Sequence, residues 1–241
     1  MTMNKIIVIG GGKGGVGKSM VTMAMIDTLL TDNESIVVVE SDDSNPDIYK
    51  AVNGTVPCEV CNLDDQSGYI SLGGLIEKNE HSCLVVNTAA RATNGLVKHS
   101  GILADVVEEL GRELVMIWPI NRQRDSLELL KVFLDKAVGY SETYTVINTY
   151  FGPAEKFLRY FAPLTEDEQK DTTRKPKLRE RVAGTLIFPE LNDLVADKLT
   201  DNRLAPWNAD NSGHLTLAER SALRRFREAS KTALEVIYGR R

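Results

Sequence analysis

Two kinds of apolar segment alternate along the chain. Short runs rich in β-branched residues occur at Lys5–Ile9, Ile36–Val39, Cys83–Val86, Leu114–Ile117, Thr143–Ile147 and Val182–Ile187. Longer segments with apolar residues at helical spacing lie between them, at Lys18–Leu30, Gly95–Leu110, Asp125–Ala137 and Leu191–Leu199. Near-continuous apolar strands separated by helices predict a parallel sheet covered on both faces. Five or more such units predict a doubly wound, mainly parallel α/β fold, with ligands at the carboxyl ends of the strands. The whole chain, residues 1–241, reads as a single domain. A final helix is predicted over residues 216–238, with Leu223, Phe226, Ala233 and Ile237 near one face.

One stretch breaks the alternation. Residues 165–181 hold 11 charged side chains in 17, acidic first and then basic, with Pro176 inside. A charge run of this kind reads as a solvated insertion, either a loop or an exposed helix.

Composition narrows the possibilities. The chain carries 29 Lys+Arg against 34 Asp+Glu, a formal net charge of −5, and is 42% hydrophobic. At 241 residues it is long enough to bury a core without a disulfide or metal staple. No apolar run approaches the roughly 20 residues of a membrane span. The apolar run Ile6–Ile9 is too short for a signal-peptide core, and three cysteines, an odd number, fit a reducing cytoplasm.

The chemistry concentrates after the first strand, in Gly10-Gly11-Gly12-Lys13-Gly14-Gly15-Val16-Gly17-Lys18-Ser19. Gly12 to Ser19 match G-x-x-x-x-G-K-[ST] without a gap. Glycines let the loop curl so that successive N–H groups face phosphate oxygens, and the following helix adds the positive end of its dipole. Gly12, Gly14, Gly15, Val16, Gly17, Lys18, Ser19 and Met20 are therefore the expected nucleotide cradle. Lys18 is expected at the β- and γ-phosphates and the Ser19 hydroxyl at Mg²⁺. A bare glycine-rich turn is the competing reading; the strand before and the helix after argue against it.

The second lysine, Lys13, gives the loop a Lys-Gly-Gly-x-Gly-Lys-Ser form. This resembles the deviant Walker A motif of the ParA/MinD family of P-loop ATPases. The resemblance implies that Lys13 reaches across a nucleotide-sandwich homodimer to the phosphates of the partner. At the end of the second strand the chain reads Glu40-Ser41-Asp42-Asp43-Ser44-Asn45-Pro46-Asp47. Glu40 and Asp42 match the family's acidic residue, spacer, Asp pattern, which makes Asp42 the candidate switch I residue that orients water and helps hold Mg²⁺. Capping of a helix at Pro46 by Ser44 or Asn45 is compatible with it. The string as a whole looks like the StbB-like and TraL-like plasmid stability and mobilisation branch.

The third motif departs from the family. Where the strand Leu84-Val85-Val86 is expected to end in Asp, this chain has Asn87-Thr88-Ala89-Ala90-Arg91. An uncharged Asn holds metal-bound water more weakly than Asp, so either hydrolysis is slow or Glu40 and Asp42 supply the missing charge. Asn87→Asp is on that ground expected to strengthen the Mg²⁺ dependence. Asn148, at the end of a strand, and Pro189, in Ile187-Phe188-Pro189-Glu190, fall where the family reads and packs the adenine. The resemblance covers roughly Lys5 to Leu204. It implies ATP/ADP and Mg²⁺ as cofactors, an ATPase in which Lys13, Lys18 and Asp42 act on the γ-phosphoryl group, and a plasmid-encoded partner protein in partition, stability or conjugative mobilisation.

Other readings are carried alongside. Cys58-Glu59-Val60-Cys61, with His81 and Cys83 following, raises a metal or iron–sulfur maturation ATPase, although no second C-x-x-C completes a tetrahedral set. A MinD-like membrane-patterning ATPase needs an amphipathic C-terminal anchor, and Glu235–Arg241 is too brief and poorly faced for one. Asn87 favours a nucleotide-dependent adaptor with negligible hydrolysis. Finally, residues 216–241 carry seven basic side chains against three acidic ones. With the first strand starting at Lys5, leaving no room for an N-terminal DNA-reading domain, that local excess makes non-specific DNA binding by the ATP dimer an expectation.

Overall fold

The computed structural model describes residues 4–43, 46–163, 165, 167, 170 and 175–239. The strands are β1 (Lys5–Ile9), β2 (Ile36–Glu40), β3 (Cys58–Val60), β4 (Cys83–Asn87), β5 (Glu113–Ile120), β6 (Tyr140–Asn148) and β7 (Gly184–Phe188). The helices are α1 (Lys18–Thr31), α2 (Asp47–Val52), α3 (Gln66–Lys78), α4 (Thr93–Lys98), α5 (Ser100–Glu109), α6 (Arg124–Lys136), α7 (Leu158–Phe161), α8 (Asp193–Asp201), α9 (Pro206–Ala209) and α10 (Leu217–Tyr238).

The strands form one sheet in the order β3-β2-β4-β1-β5-β6-β7, and every pairing is parallel. Pleating sends alternate residues to opposite faces. Ile7, Ile9, Val38, Val85, Val115 and Val146 pack with α1, α2, α8 and α10 on one side. Ile6, Val8, Val39, Leu84, Val86 and Met116 pack with α3, α5 and α6 on the other. Burial on both faces is why these strands are apolar along most of their length. The central strand, β1, lies between β4 and β5, so the loop that leaves it opens between the carboxyl ends of both neighbours.

Six of the seven strands lie where the apolar runs predict. β3 is the addition, a three-residue edge strand paired to β2 alone. The helix α3 was not legible either, because its interior holds Gly68, Gly73 and Gly74, poor helix formers. Gly68 earns its place by contact: a Cβ there would stand 1.6 Å from the Asn62 carbonyl oxygen. The predicted helix Gly95–Leu110 is two helices, broken at His99. Much of the charged segment 165–181 falls outside the described residues; within its described part Arg181 pairs with Asp135 at 2.7 Å.

The last helix is where predicted and is anchored firmly. Thr216 and Glu219 form a capping box at its start, and Leu223, Phe226, Leu234 and Ile237 are buried. Arg227 donates two hydrogen bonds to the buried Asp27 carboxylate of α1, at 2.6 and 2.7 Å. Breaking such a pair leaves one charge without a partner. Asp27→Ala should therefore cost roughly 3 kcal/mol of stability in urea unfolding, and Asp27→Leu/Arg227→Met much less.

Candidate nucleotide site

The glycine-rich loop runs from the end of β1 to the start of α1, at the middle of the sheet. Gly10 N–H donates to the Ile117 carbonyl on β5 at 2.9 Å, which fixes where the loop departs. Two of its glycines have no substitute. A Cβ on Gly12 would lie 2.3 Å from Thr93 Oγ1. Gly17 adopts φ 95°, in the left-handed region, and a Cβ there would lie 2.2 Å from Asn148 Nδ2. As the N-cap, Gly17 offers α1 no side-chain cap, so the first-turn N–H groups face the loop's concavity.

That concavity is a cavity of about 220 Å³ lined by Gly14, Gly15, Gly17, Lys18, Ser19, Met20, Asp42 and Asn87, with Asp47, Thr88 and Ala90. Seven of the predicted site residues meet there. Asp42 arrives from the end of β2 and Ser19 from the first turn of α1. Lys18 is 8% exposed, and its Nζ donates to the Lys13 carbonyl oxygen at 3.2 Å. Burial lowers the Lys18 ammonium to about 8, and Asp42 and Glu40 partly oppose the shift. A buried amine beside an uncapped helix start and two carboxylates fits a phosphate chain with a divalent cation.

The other predicted residues stand outside the cavity lining. Gly12 packs against Thr93 as described. Val16 is buried, and its carbonyl oxygen accepts a hydrogen bond from Asn148 Nδ2 at 3.0 Å. Asn148 Oδ1 accepts from Tyr150 N–H at 3.1 Å, so this amide braces the loop from the end of β6. Pro189 follows β7 and is half-buried. Lys13 turns to the start of α6, where its Nζ donates to Asp125 Oδ2 at 2.9 Å and to Gln123 Oε1.

Two participants and one contact were not read from the sequence. Asp47, the first residue of α2, lines the cavity. Behind the lining, Thr22 Oγ1 lies within hydrogen-bond distance of the Lys18 carbonyl, at 2.9 Å, and of Asn87 Oδ1, at 3.0 Å. Asn87 Nδ2 donates to Glu40 Oε1 at 2.9 Å. Sequence spacing gave no signal for this contact, because it depends on the register that sets Glu40 beside Asn87 on neighbouring strands. Burial raises the Glu40 carboxyl, and the backbone N–H of Asp42, the Asn87 amide and the backbone N–H of Ile48 oppose that rise.

All three cysteines are free thiols, Cys61 and Cys83 buried and Cys58 half-buried. Cys61 is buried, and its Sγ donates to the Gly68 carbonyl at 3.2 Å. Burial pushes the Cys58 thiol up to about 12 and the Cys61 thiol upward, so neither is a reactive thiolate in the metal-free chain. Among the described residues no group of three or more His, Cys, Asp or Glu could hold a metal ion, and no helix is long and apolar enough to cross a membrane.

The parallel seven-stranded sheet with its glycine loop after the central strand is the fold of the MinD/ParA P-loop NTPases. A chain of the MinC:MinD cell division protein complex from Aquifex aeolicus superposes with a TM-score of 0.51 at 14% identity, covering 95% of each chain. MinD from the same organism gives 0.49 at 15% identity, covering 96% of this chain and 97% of that one. No protein-family model matches the sequence. Protein MobD of Acidithiobacillus ferrooxidans is 38% identical over 230 residues, which span 95% of this chain and 96% of that protein. The chain belongs to the MobD family.

Proposed function

We propose that this protein is a Mg·ATP-dependent, dimerising P-loop ATPase that acts in plasmid stability, partition or conjugative mobilisation. The observation that carries the nucleotide reading is the buried Lys18 ammonium at the uncapped start of α1, facing Asp42 across one cavity. The switch string Glu40–Asp47 and the full-length likeness to MobD support the cellular assignment.

On this reading Ser19 and Asp42 hold the metal ion. Mg²⁺, when bound, draws charge from the β- and γ-phosphate oxygens. Lys18 neutralises the γ-phosphoryl group within the chain, and Lys13 of the partner subunit adds a second positive charge. Asp42 orients the attacking water. Asn148 and Pro189 border the base, Asn148 through its brace on Val16. Hydrolysis is slow and partner-stimulated, and it resets the dimer. The partner is a plasmid-encoded protein.

Asn87 favours a second reading, an adaptor that binds ATP, dimerises and recruits a partner with negligible turnover. Measuring ATP affinity and hydrolysis rate on one preparation separates the two, and a pull-down with and without ATP, with Lys18→Ala as control, identifies what is recruited. Stoichiometric metal analysis tests the iron–sulfur alternative.

DNA binding is also proposed, on a smaller surface than the charge count suggests. Arg227 and Lys231 are committed to Asp27 and Asp32, and Arg220 Nη1 donates to the Asp210 carbonyl. Arg224 and Arg225 are exposed, Arg224 lying 4.0 Å from Asp210. Arg240 and Arg241 lie outside the described residues. The expected outcome in fluorescence anisotropy is weak, sequence-independent binding at low salt, enhanced by ATP and lost in Arg224→Glu/Arg225→Glu. With so few phosphate contacts the salt slope is shallow, about 0.9 per contact on a log–log plot. Equal binding by the double variant overturns this surface.

A further inference from the structure

Asn87 stands where the resembling family carries an aspartate, and its surroundings explain how an amide is accommodated. Glu40 and Asn87 are register partners at the carboxyl ends of β2 and β4. Glu40 is fully buried, and three N–H donors converge on it. Asp42 N–H and Asn87 Nδ2 donate to Oε1, both at 2.9 Å, and Ile48 N–H donates to Oε2 at 3.3 Å. The opposite end of the Asn87 amide, Oδ1, faces the Thr22 hydroxyl on α1.

This arrangement dictates the residue at position 87. It must present a donor to Glu40, and it offers an acceptor to the Thr22 hydroxyl, whose single proton is also within reach of the Lys18 carbonyl. An asparagine does both in one orientation; the flipped amide would set its oxygen against a carboxylate oxygen. An aspartate would set two carboxylates at hydrogen-bond distance, so that they either repel or must take up a proton between them. The earlier expectation for Asn87→Asp thus meets an obstacle that the sequence does not display.

Glu40 also reaches three parts of the site at once. Through Asp42 N–H it sets the backbone of the candidate switch residue. Through Ile48 N–H it holds the first turn of α2, next to Asp47. Through Asn87 it connects to the end of the strand beside β1, and by way of Thr22 to the helix that carries Lys18 and Ser19.

We propose that Glu40 is the positioning residue for Asp42, with Asn87 as its matched partner. Glu40 acts through Asp42 and Asn87, which line the cavity, while it does not line the cavity itself. The proposal rests on the reading that the cavity takes Mg·nucleotide.

A charge-swap cycle tests it, using the full chain as wild type, Glu40→Gln, Asn87→Asp and the combined Glu40→Gln/Asn87→Asp. Affinity for ADP is measured by calorimetry with and without Mg²⁺, and thermal midpoints are recorded without nucleotide. Each single substitution should weaken the Mg²⁺-dependent part of the affinity by about 10–100-fold, the range for losing a residue that orients metal ligands. Each should also lower the thermal midpoint. In the combined variant the side chain at 40 donates to the carboxylate at 87, so that pair is restored with reversed polarity and the midpoint should exceed that of Asn87→Asp alone. The same amide nitrogen then faces Asp42 N–H, which loses its acceptor, so the Mg²⁺-dependent affinity should stay as weak as in Glu40→Gln. A merely structural contact would return the Mg²⁺ dependence together with the midpoint. Midpoint losses that add, Mg²⁺ dependence that returns with the midpoint, or an Asn87→Asp protein with wild-type midpoint and Mg²⁺ dependence, overturn the proposal. If Glu40→Gln does not fold, Asn87→Asp against the combined variant decides alone: recovery of the midpoint without the Mg²⁺ dependence supports the pairing, and failure of the combined variant to fold overturns it. No Mg²⁺-dependent binding by wild type defeats the nucleotide reading instead, and the thermal cycle still judges the pair.

Discussion

Lys18→Ala should abolish nucleotide binding while leaving the fold intact. Charge-assisted hydrogen bonds are worth roughly 1.5–3 kcal/mol each, so losing two to phosphate oxygens weakens ATP by about 100-fold or more. The substitution does not threaten the fold, because the Lys18 ammonium is itself held at a cost. Burial brings it to about 8, against an unfolded value of 10.5. Between those values the unfolded chain binds more protons than the folded one, so this group makes stability rise as pH rises from about 8 toward 10.5. Below about 8 both states carry the proton and the cost of burying the charge is present in full. Lys18→Ala should remove that part of the pH dependence. Phosphate beside Lys18 raises its proton affinity, so binding near pH 8.5 should take up a proton. Calorimetry in two buffers of different ionisation heat measures the uptake directly. ATP affinity within a factor of two of wild type in Lys18→Ala would falsify the assignment of Lys18 to the phosphates.

The sheet was legible because its strands are buried on both faces. Nothing but a continuous apolar run fits such a strand, and the runs ending at Ile9 and Val86 fall within a residue of β1 and β4. The elements that escaped lack this signal. β3 is three residues long and two of them are exposed, so no apolar pattern marks it. α3 carries three glycines, one of them Gly68 where the Asn62 backbone approaches closely, and they hide a helix whose stability comes from packing rather than propensity. The same division runs through the site. The loop Gly12–Ser19 is contiguous, and its chemistry follows from residue order. The bonds from Glu40 to Asn87 and from Lys13 to Asp125 join positions 47 and 112 residues apart, and only the sheet order brings them together. The net charge of residues 216–241 misled for a related reason. A count along the sequence cannot include Asp27 and Asp32 on α1, which answer Arg227 and Lys231.

Lys13→Ala should leave ATP binding by the single chain nearly unchanged and remove the ATP-dependent dimer. The side chain does not line its own cavity; it extends to the start of α6 and pairs there with Asp125, whose carboxyl it holds below the usual range. A lysine serving the phosphates of its own chain would turn inward, as Lys18 does. On the proposed reading Lys13 leaves Asp125 when a second copy presents its nucleotide, so the pair and the dimer compete for one ammonium. Asp125→Ala should then favour the dimer, by a few-fold at most, because exposed ion pairs are weak and screened by salt. Sedimentation velocity with ATP, at low and at high salt, separates the cases. Wild type should dimerise more readily as salt loosens the Lys13–Asp125 pair, up to the point where salt also screens the lysine from the partner's phosphates. Asp125→Ala should lack the first phase and show only the second. Lys13→Ala should stay monomeric throughout. A Lys13→Ala protein that dimerises with ATP would show that Lys13 belongs to α6 and not to the partner's site.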